Sequence, residues 1–126
     1  VYTRCTATCP LIVGDLKRVE ASIPPARRGE IGFVLVSLDP ARDTPATLAA
    51  SAARTQLDPA RWTLLTGDAA AVRELAAVLG VRYQPQANDE LAHTNAITVL
   101  DASGAIVHQQ VGLGAVAEGT VSAVGR

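Results

Sequence analysis

The apolar positions change period several times along the chain, and each change predicts an element. From Pro10 onward, Leu11, Ile12, Leu16, Val19 and Ile23 fit a helical stripe at spacings of three to five. Pro24-Pro25 ends that stripe, and residues 26–30 form a polar connection. Ile31 to Leu38 is a nearly continuous β-branched and apolar run, the pattern of a strand buried on both faces in a parallel sheet. A turn over Asp39 to Pro45 follows, with Thr44 as N-cap and Pro45 at the first helical position of a helix over Ala46 to Leu57. Asp58-Pro59 breaks that helix, and Trp62 to Thr66 reads as a short strand closed by Gly67. Asp68 caps the next helix, Ala69 to Leu79, where Val72, Leu75, Ala76 and Leu79 share one face and Gly80 ends it.

Periodicity then fails. Tyr83 to Leu91 contains Pro85, Asn88 and Asp89 and reads as a loop that His93 closes. Ala96 to Leu100 and Ile106 to Val111 are strands joined by a turn over Asp101-Ala102-Ser103-Gly104. The tail from Gly112 is rich in small residues and predicts at most a weak helix. Strands alternating with helices and ending in a hairpin predict an α/β architecture, with helices layered on a mixed sheet. Val1-Tyr2-Thr3 reads as the end of a strand cut off at its start, so residues 1–126 are expected to form one domain that is incomplete at its N-terminus.

Composition narrows the function classes. At 48% hydrophobic the chain has the material for a packed core and is not disordered. Eleven basic against twelve acidic residues give no electrostatic case for nucleic acid or for an anionic membrane surface. No apolar run approaches the roughly 20 residues of a membrane span, so membrane attachment is expected only through a tether outside this sequence.

The candidate chemistry sits in Cys5-Thr6-Ala7-Thr8-Cys9-Pro10, which contains both cysteines of the protein. A four-residue spacing puts two helical side chains on one face. Pro10 suits a first helical turn, where the dipole and free N–H groups favour thiolate over thiol. Such a pair can close to a disulfide or hold a soft metal; the plainer reading is two cysteines that only pack. A cysteine pair at the start of a helix that directly follows a strand is the thioredoxin-like arrangement, here with three intervening residues where thioredoxin has two.

At this point the sequence resembles the Sco/SenC family of thioredoxin-fold copper chaperones. The resemblance rests on four stretches spread over nearly the whole chain: Tyr2 to Pro10, Ser37 to Pro45, Trp62 to Gly67, and His93-Thr94 before the strand at Ala96. It implies a thioredoxin-like three-layer sandwich and a site in which Cys5, Cys9 and His93 bind Cu(I) or Cu(II). It also implies delivery to a cytochrome c oxidase subunit or to another copper chaperone, in the periplasm or another extracytoplasmic space. Ala92 stands where the family usually has an acidic residue; Asp89 and Glu90 are near enough in sequence to substitute. Two thiolates and an imidazole suit copper on separate chemical grounds, although zinc can use the same set.

The alternative function is a thiol–disulfide oxidoreductase cycling Cys5 and Cys9 to keep a partner's copper-site cysteines reduced. A peroxidase is a weaker third reading. Among neighbouring candidates, His108 reads as a surface residue in mid-strand, Asp39 as a turn residue, and Asp43 as favouring the next helix end through its dipole. Arg4 beside Cys5 would lower that thiol's pKa if turned toward it, or else point to solvent.

Overall fold

The computed structural model describes residues 1, 8–85, 91–93, 95–112 and 118–124, the side chains of 8, 9, 85, 91–93 and 118 excepted. Helix α1 spans Thr8–Ser22, and a 3₁₀ turn over Pro25–Glu30 leads to strand β1, Phe33–Val36. Helix α2 (Pro45–Arg54), strand β2 (Trp62–Leu65) and helix α3 (Ala69–Leu79) follow. The short strands β3 (Tyr83–Pro85) and β4 (Leu91–His93) precede the hairpin of β5 (Ala96–Leu100) and β6 (Ile106–Val111), and helix α4 (Glu118–Val124) comes last.

Local chemistry sets the boundaries. The Thr44 hydroxyl accepts the Thr47 N–H at 3.2 Å, and the Asp68 carboxylate accepts that of Ala71 at 2.7 Å, so both expected N-caps are made. Gly80 ends α3 at φ 72°, a left-handed conformation that costs glycine little.

β1 and β2 pair in parallel, with Phe33 opposite Trp62 and Val36 opposite Leu65. β3–β4 and β5–β6 are antiparallel pairs, the latter with an irregularity at Val99/Leu100. Parallel and antiparallel pairing thus coexist, as the helix–strand alternation implies. The core is built on one face of β1: Phe33 and Leu35 pack with Val19 and Ile23 of α1, with Leu57 and with Trp62. Ladder pairing places the Phe33 and Trp62 rings together, stacked at 4.6 Å between centroids and 15° between planes. The Trp62 indole N–H, though the ring is buried, donates to Glu20 on α1 at 2.9 Å.

Three expectations change. The strand predicted over Ile31 to Leu38 is shorter, and it is buried on one face only. Phe33 and Leu35 are 7% exposed, whereas Val34 between them is 58% exposed and faces an apolar groove. The loop expected from Tyr83 contains two three-residue strands, paired Tyr83 to His93 and Pro85 to Leu91; so short a strand has no period to read. The weak tail carries α4, whose helix propensity is low but whose Thr120 and Ala123 are buried against the β5–β6 hairpin. Tertiary burial outweighs propensity there.

α4 also changes the reading of His108. The imidazole is half-buried, with Nε2 3.0 Å from the Thr120 hydroxyl. That hydroxyl donates its one proton to Gln110 Oε1 at 2.7 Å, so it accepts from His108 Nε2–H. Gly119 lies against the ring: a Cβ there would sit 3.1 Å from Cε1.

Two outcomes are expected. Phe33→Ala removes the stacked ring and leaves a cavity, costing about 3–5 kcal/mol; denaturant unfolding followed by the fluorescence of the single tryptophan measures it. In the β5–β6 turn, Asp101 is held below its ordinary pKa of 3.8 by the Ser103 hydroxyl first and then by the Ala105 N–H. A depressed carboxylate contributes stability above its unfolded pKa and loses it as pH falls through the folded one. The Ser103 and Ala105 amide NMR shifts should therefore titrate with a midpoint below 3.8, and Asp101→Asn should abolish that titration.

Candidate metal centre

Two of the three sequence-predicted donors fall on described elements, Cys9 on α1 and His93 on β4. Cys9 lies in the first turn of α1, which begins at Thr8, so Pro10 is inside that turn as its missing N–H allows. His93 is the last residue of β4, opposite Tyr83 of β3. Cys5 lies outside the described residues, as do the side chains of Cys9 and His93 and therefore the distances among the three. Among the described residues, no group of three or more His, Cys, Asp or Glu is placed to hold a metal ion.

The structure does describe a buried polar group at the end of β1 where Val1 is bound. Val1, four positions before Cys5, accepts the Leu38 N–H at 2.7 Å and donates its amino group to Val36 O at 3.1 Å. Val1 therefore lies at the C-terminal end of β1, the end at which open α/β sheets place their sites. Ser37, Asp39 and Asp43 are all buried at this end. The Ser37 hydroxyl donates to Asp43 Oδ2 at 2.7 Å and accepts the Asp39 N–H at 3.0 Å. The Asp43 N–H closes the loop onto Asp39 O at 2.9 Å. Arg42, 3.4 Å from Asp39, balances charge at the rim.

This arrangement revises two roles. Asp39 does begin a turn, but a buried one. Asp43 is fully buried and anchors the loop through Ser37, rather than tuning an exposed helix end through the dipole. A serine at the end of an apolar strand was the available signal: a hydroxyl there must find a partner. Asp15, fully buried on α1 and paired with Arg18, was missed because it falls between stripe positions and looks like an ordinary polar residue.

Strand–helix alternation, a parallel pair carrying polar groups at its C-terminal end, and a cysteine in the first turn of α1, the helix that precedes that pair, are the features of a thioredoxin-like protein. Solved structures have the same fold. A crystal structure from Aquifex aeolicus VF5, of a protein named for electron transfer, superposes with a TM-score of 0.84 at 22% identity, covering 98% of this chain and 72% of that one. Bradyrhizobium japonicum ScoI, solved with copper bound, gives a TM-score of 0.72 at 26% identity, over 86% of this chain and 69% of that one. The chain belongs to the SCO1/SenC family, whose model matches residues 1–117. A Stutzerimonas stutzeri protein named for copper binding is 27% identical over 111 residues, 83% of this chain. The chain spans about half the length of that curated relative, 52%.

The buried hydroxyl–carboxylate pair gives a direct test. Asp43→Ala orphans the Ser37 hydroxyl, and Ser37→Ala takes a donor from a buried carboxylate; each should cost about 1–3 kcal/mol. The double variant should cost less than the sum by about 1 kcal/mol, measured by denaturant unfolding in a double-mutant cycle. Additive effects would mean that the pair does not act as a unit.

Proposed function

We propose that this chain binds one copper ion, Cu(I) or Cu(II), through Cys5, Cys9 and His93, and passes it on as cargo during cytochrome c oxidase assembly. The observation that carries the reading is family membership over residues 1–117, a span that includes all three donors. The copper-bound ScoI structure and the relative named for copper binding support it. The donor set fits the metal: thiolates are soft ligands, imidazole suits both copper oxidation states, and no fourth protein donor is required. A three-donor set leaves a coordination position at which a receiving protein's ligand can enter, so transfer proceeds by ligand exchange.

The dipole of α1 stabilises the Cys9 thiolate and lowers the cost of releasing its proton when metal binds. The receiving partner is an oxidase subunit or another copper chaperone. The setting is periplasmic or otherwise extracytoplasmic, where a cysteine pair can reach both redox states.

The competing reading is thiol–disulfide exchange. One thiolate attacks a partner's disulfide, the second resolves the mixed disulfide, and the partner leaves with two thiols while Cys5 and Cys9 end as a disulfide. That cycle needs no histidine, and this separates the two readings. Anaerobic copper titration of the reduced protein should show one equivalent bound. His93→Ala should lose most of its Cu(II) affinity and less of its Cu(I) affinity, because two thiolates hold Cu(I) unaided. Exchange with a model disulfide should persist in His93→Ala, and Cys9→Ser should abolish both activities. Copper binding that survives His93→Ala while exchange collapses would make the histidine a redox auxiliary and remove the chaperone reading.

A further inference from the structure

The chain is poor in aromatic residues, with one Phe, one Trp and two Tyr. Phe33 and Trp62 are taken up by the stack in the core. Tyr83 lies elsewhere: it opens β3, half-buried, and the β3–β4 register sets it directly opposite His93. The other two pairs of that ladder, Gln84 with Ala92 and Pro85 with Leu91, carry no aromatic residue. Directly opposed residues of an antiparallel pair share a face, with Cβ atoms about 4.5–5.5 Å apart, within reach of a ring.

Both ends of this unit are anchored in the body of the protein. Upstream, α3 is held in the core by Val72 and Ala76 and closes at Gly80, whose N–H goes to Ala77 O at 3.2 Å. The Val81 N–H reaches back to Ala76 O at 2.8 Å, completing a Schellman closure. β3 therefore leaves α3 in a set direction. Downstream, two residues after His93, Asn95 O accepts the Gly112 N–H at 2.9 Å at the end of β6. The backbone at His93 is held by the ladder on one side and through Asn95 on the other. What a held backbone leaves open is the rotation of the ring, since χ2 of histidine is broad and roughly two-fold. Histidines that bind metals are normally oriented by a neighbouring group, and Ala92, next to His93, has none to offer.

We propose that the Tyr83 ring is the positioning surface for the His93 imidazole, packed against it so that one ring orientation is held with or without copper. The proposal rests on the reading of His93 as a copper donor and gives Tyr83 no bond to the metal. Aromatic rings prefer offset or edge-to-face contact, which needs no hydrogen bond, so the phenol hydroxyl is dispensable and phenylalanine serves equally. A pre-oriented imidazole matters most to Cu(II), which depends on it, and least to Cu(I), which two thiolates hold unaided.

The first measurement needs no metal. In NMR spectra of the reduced copper-free protein, the His93 ring protons are told from those of His108 by their loss in His93→Ala. They should be shifted upfield by the Tyr83 ring current and should share NOE cross-peaks with the Tyr83 ring. Tyr83→Leu should remove the upfield shift, and Tyr83→Phe should keep it. Loaded with Cu(II), the wild type and Tyr83→Phe should give the same single EPR signal. Tyr83→Leu should give a mixture of signals and lose Cu(II) to a chelator about 10-fold faster, the size of effect seen when an orienting neighbour of a metal-bound histidine is removed. Leucine keeps the apolar bulk, so a loss confined to Cu(II) at an unchanged Tm is not a folding effect. Absence of the NOE contacts in the wild type would overturn the proposal. So would equal Cu(II) signals and release rates in the wild type and Tyr83→Leu, or failure of Tyr83→Phe to match the wild type. A wild-type protein that binds no copper would overturn the functional reading instead, and the metal-free ring shifts would still decide the place of Tyr83.

Discussion

The parallel ladder of β1 is the constraint on which the rest of the structure depends. One edge of β1 is spent on β2, and that pairing stacks Phe33 on Trp62 and so fixes the floor on which α1 lies. The other edge holds Val1, bonded to Val36 and Leu38. The strand's C-terminal end then supplies Ser37 and Asp39. The core, the anchoring of Val1 and the polar platform are three consequences of one four-residue strand.

The polar groups at the C-terminal end of β1 are tied to one another out of reach of water. A buried hydroxyl is shared between a carboxylate and a backbone amide, and the loop is closed again by the Asp43 N–H. Such networks are costly when half satisfied and stiff when complete. Of the residues proposed as donors, Cys9 lies in the first turn of α1 and His93 at the end of a three-residue strand.

The second feature of the architecture is the treatment of the sheet edges. β5–β6 is held from outside by α4, through Thr120 on Gln110 and His108, and from α3 by the Gln109 amide, which donates to Leu79 O at 2.6 Å. The hairpin is thereby positioned across the groove from β1, facing the same apolar space. Layered folds bury one face of every sheet against helices.

Much of this was legible in the residues. Capping chemistry is local, so Thr44, Asp68 and Gly80 announced their helix ends correctly, and the Asp101–Gly104 turn did the same for the hairpin. The family, and with it the donor set expected of it, could be read from four short stretches because each carries side chains that a generic helix or strand has no reason to prefer. What the sequence could not give is whatever depends on partners distant in the chain. An aspartate that caps a helix and one that is sealed beside a serine look alike as letters, so only folding separated Asp43 from Asp68. A histidine in mid-strand reads as exposed until a helix twelve residues later covers it, as Thr120 does His108. β3 and β4 are too short to have a period, and α4 is helical through burial rather than propensity. The apolar run of β1 stated that both faces were to be buried; tertiary structure decided that Phe33 and Leu35 meet α1 while Val34 faces a groove, because packing, unlike periodicity, requires the second surface to be there.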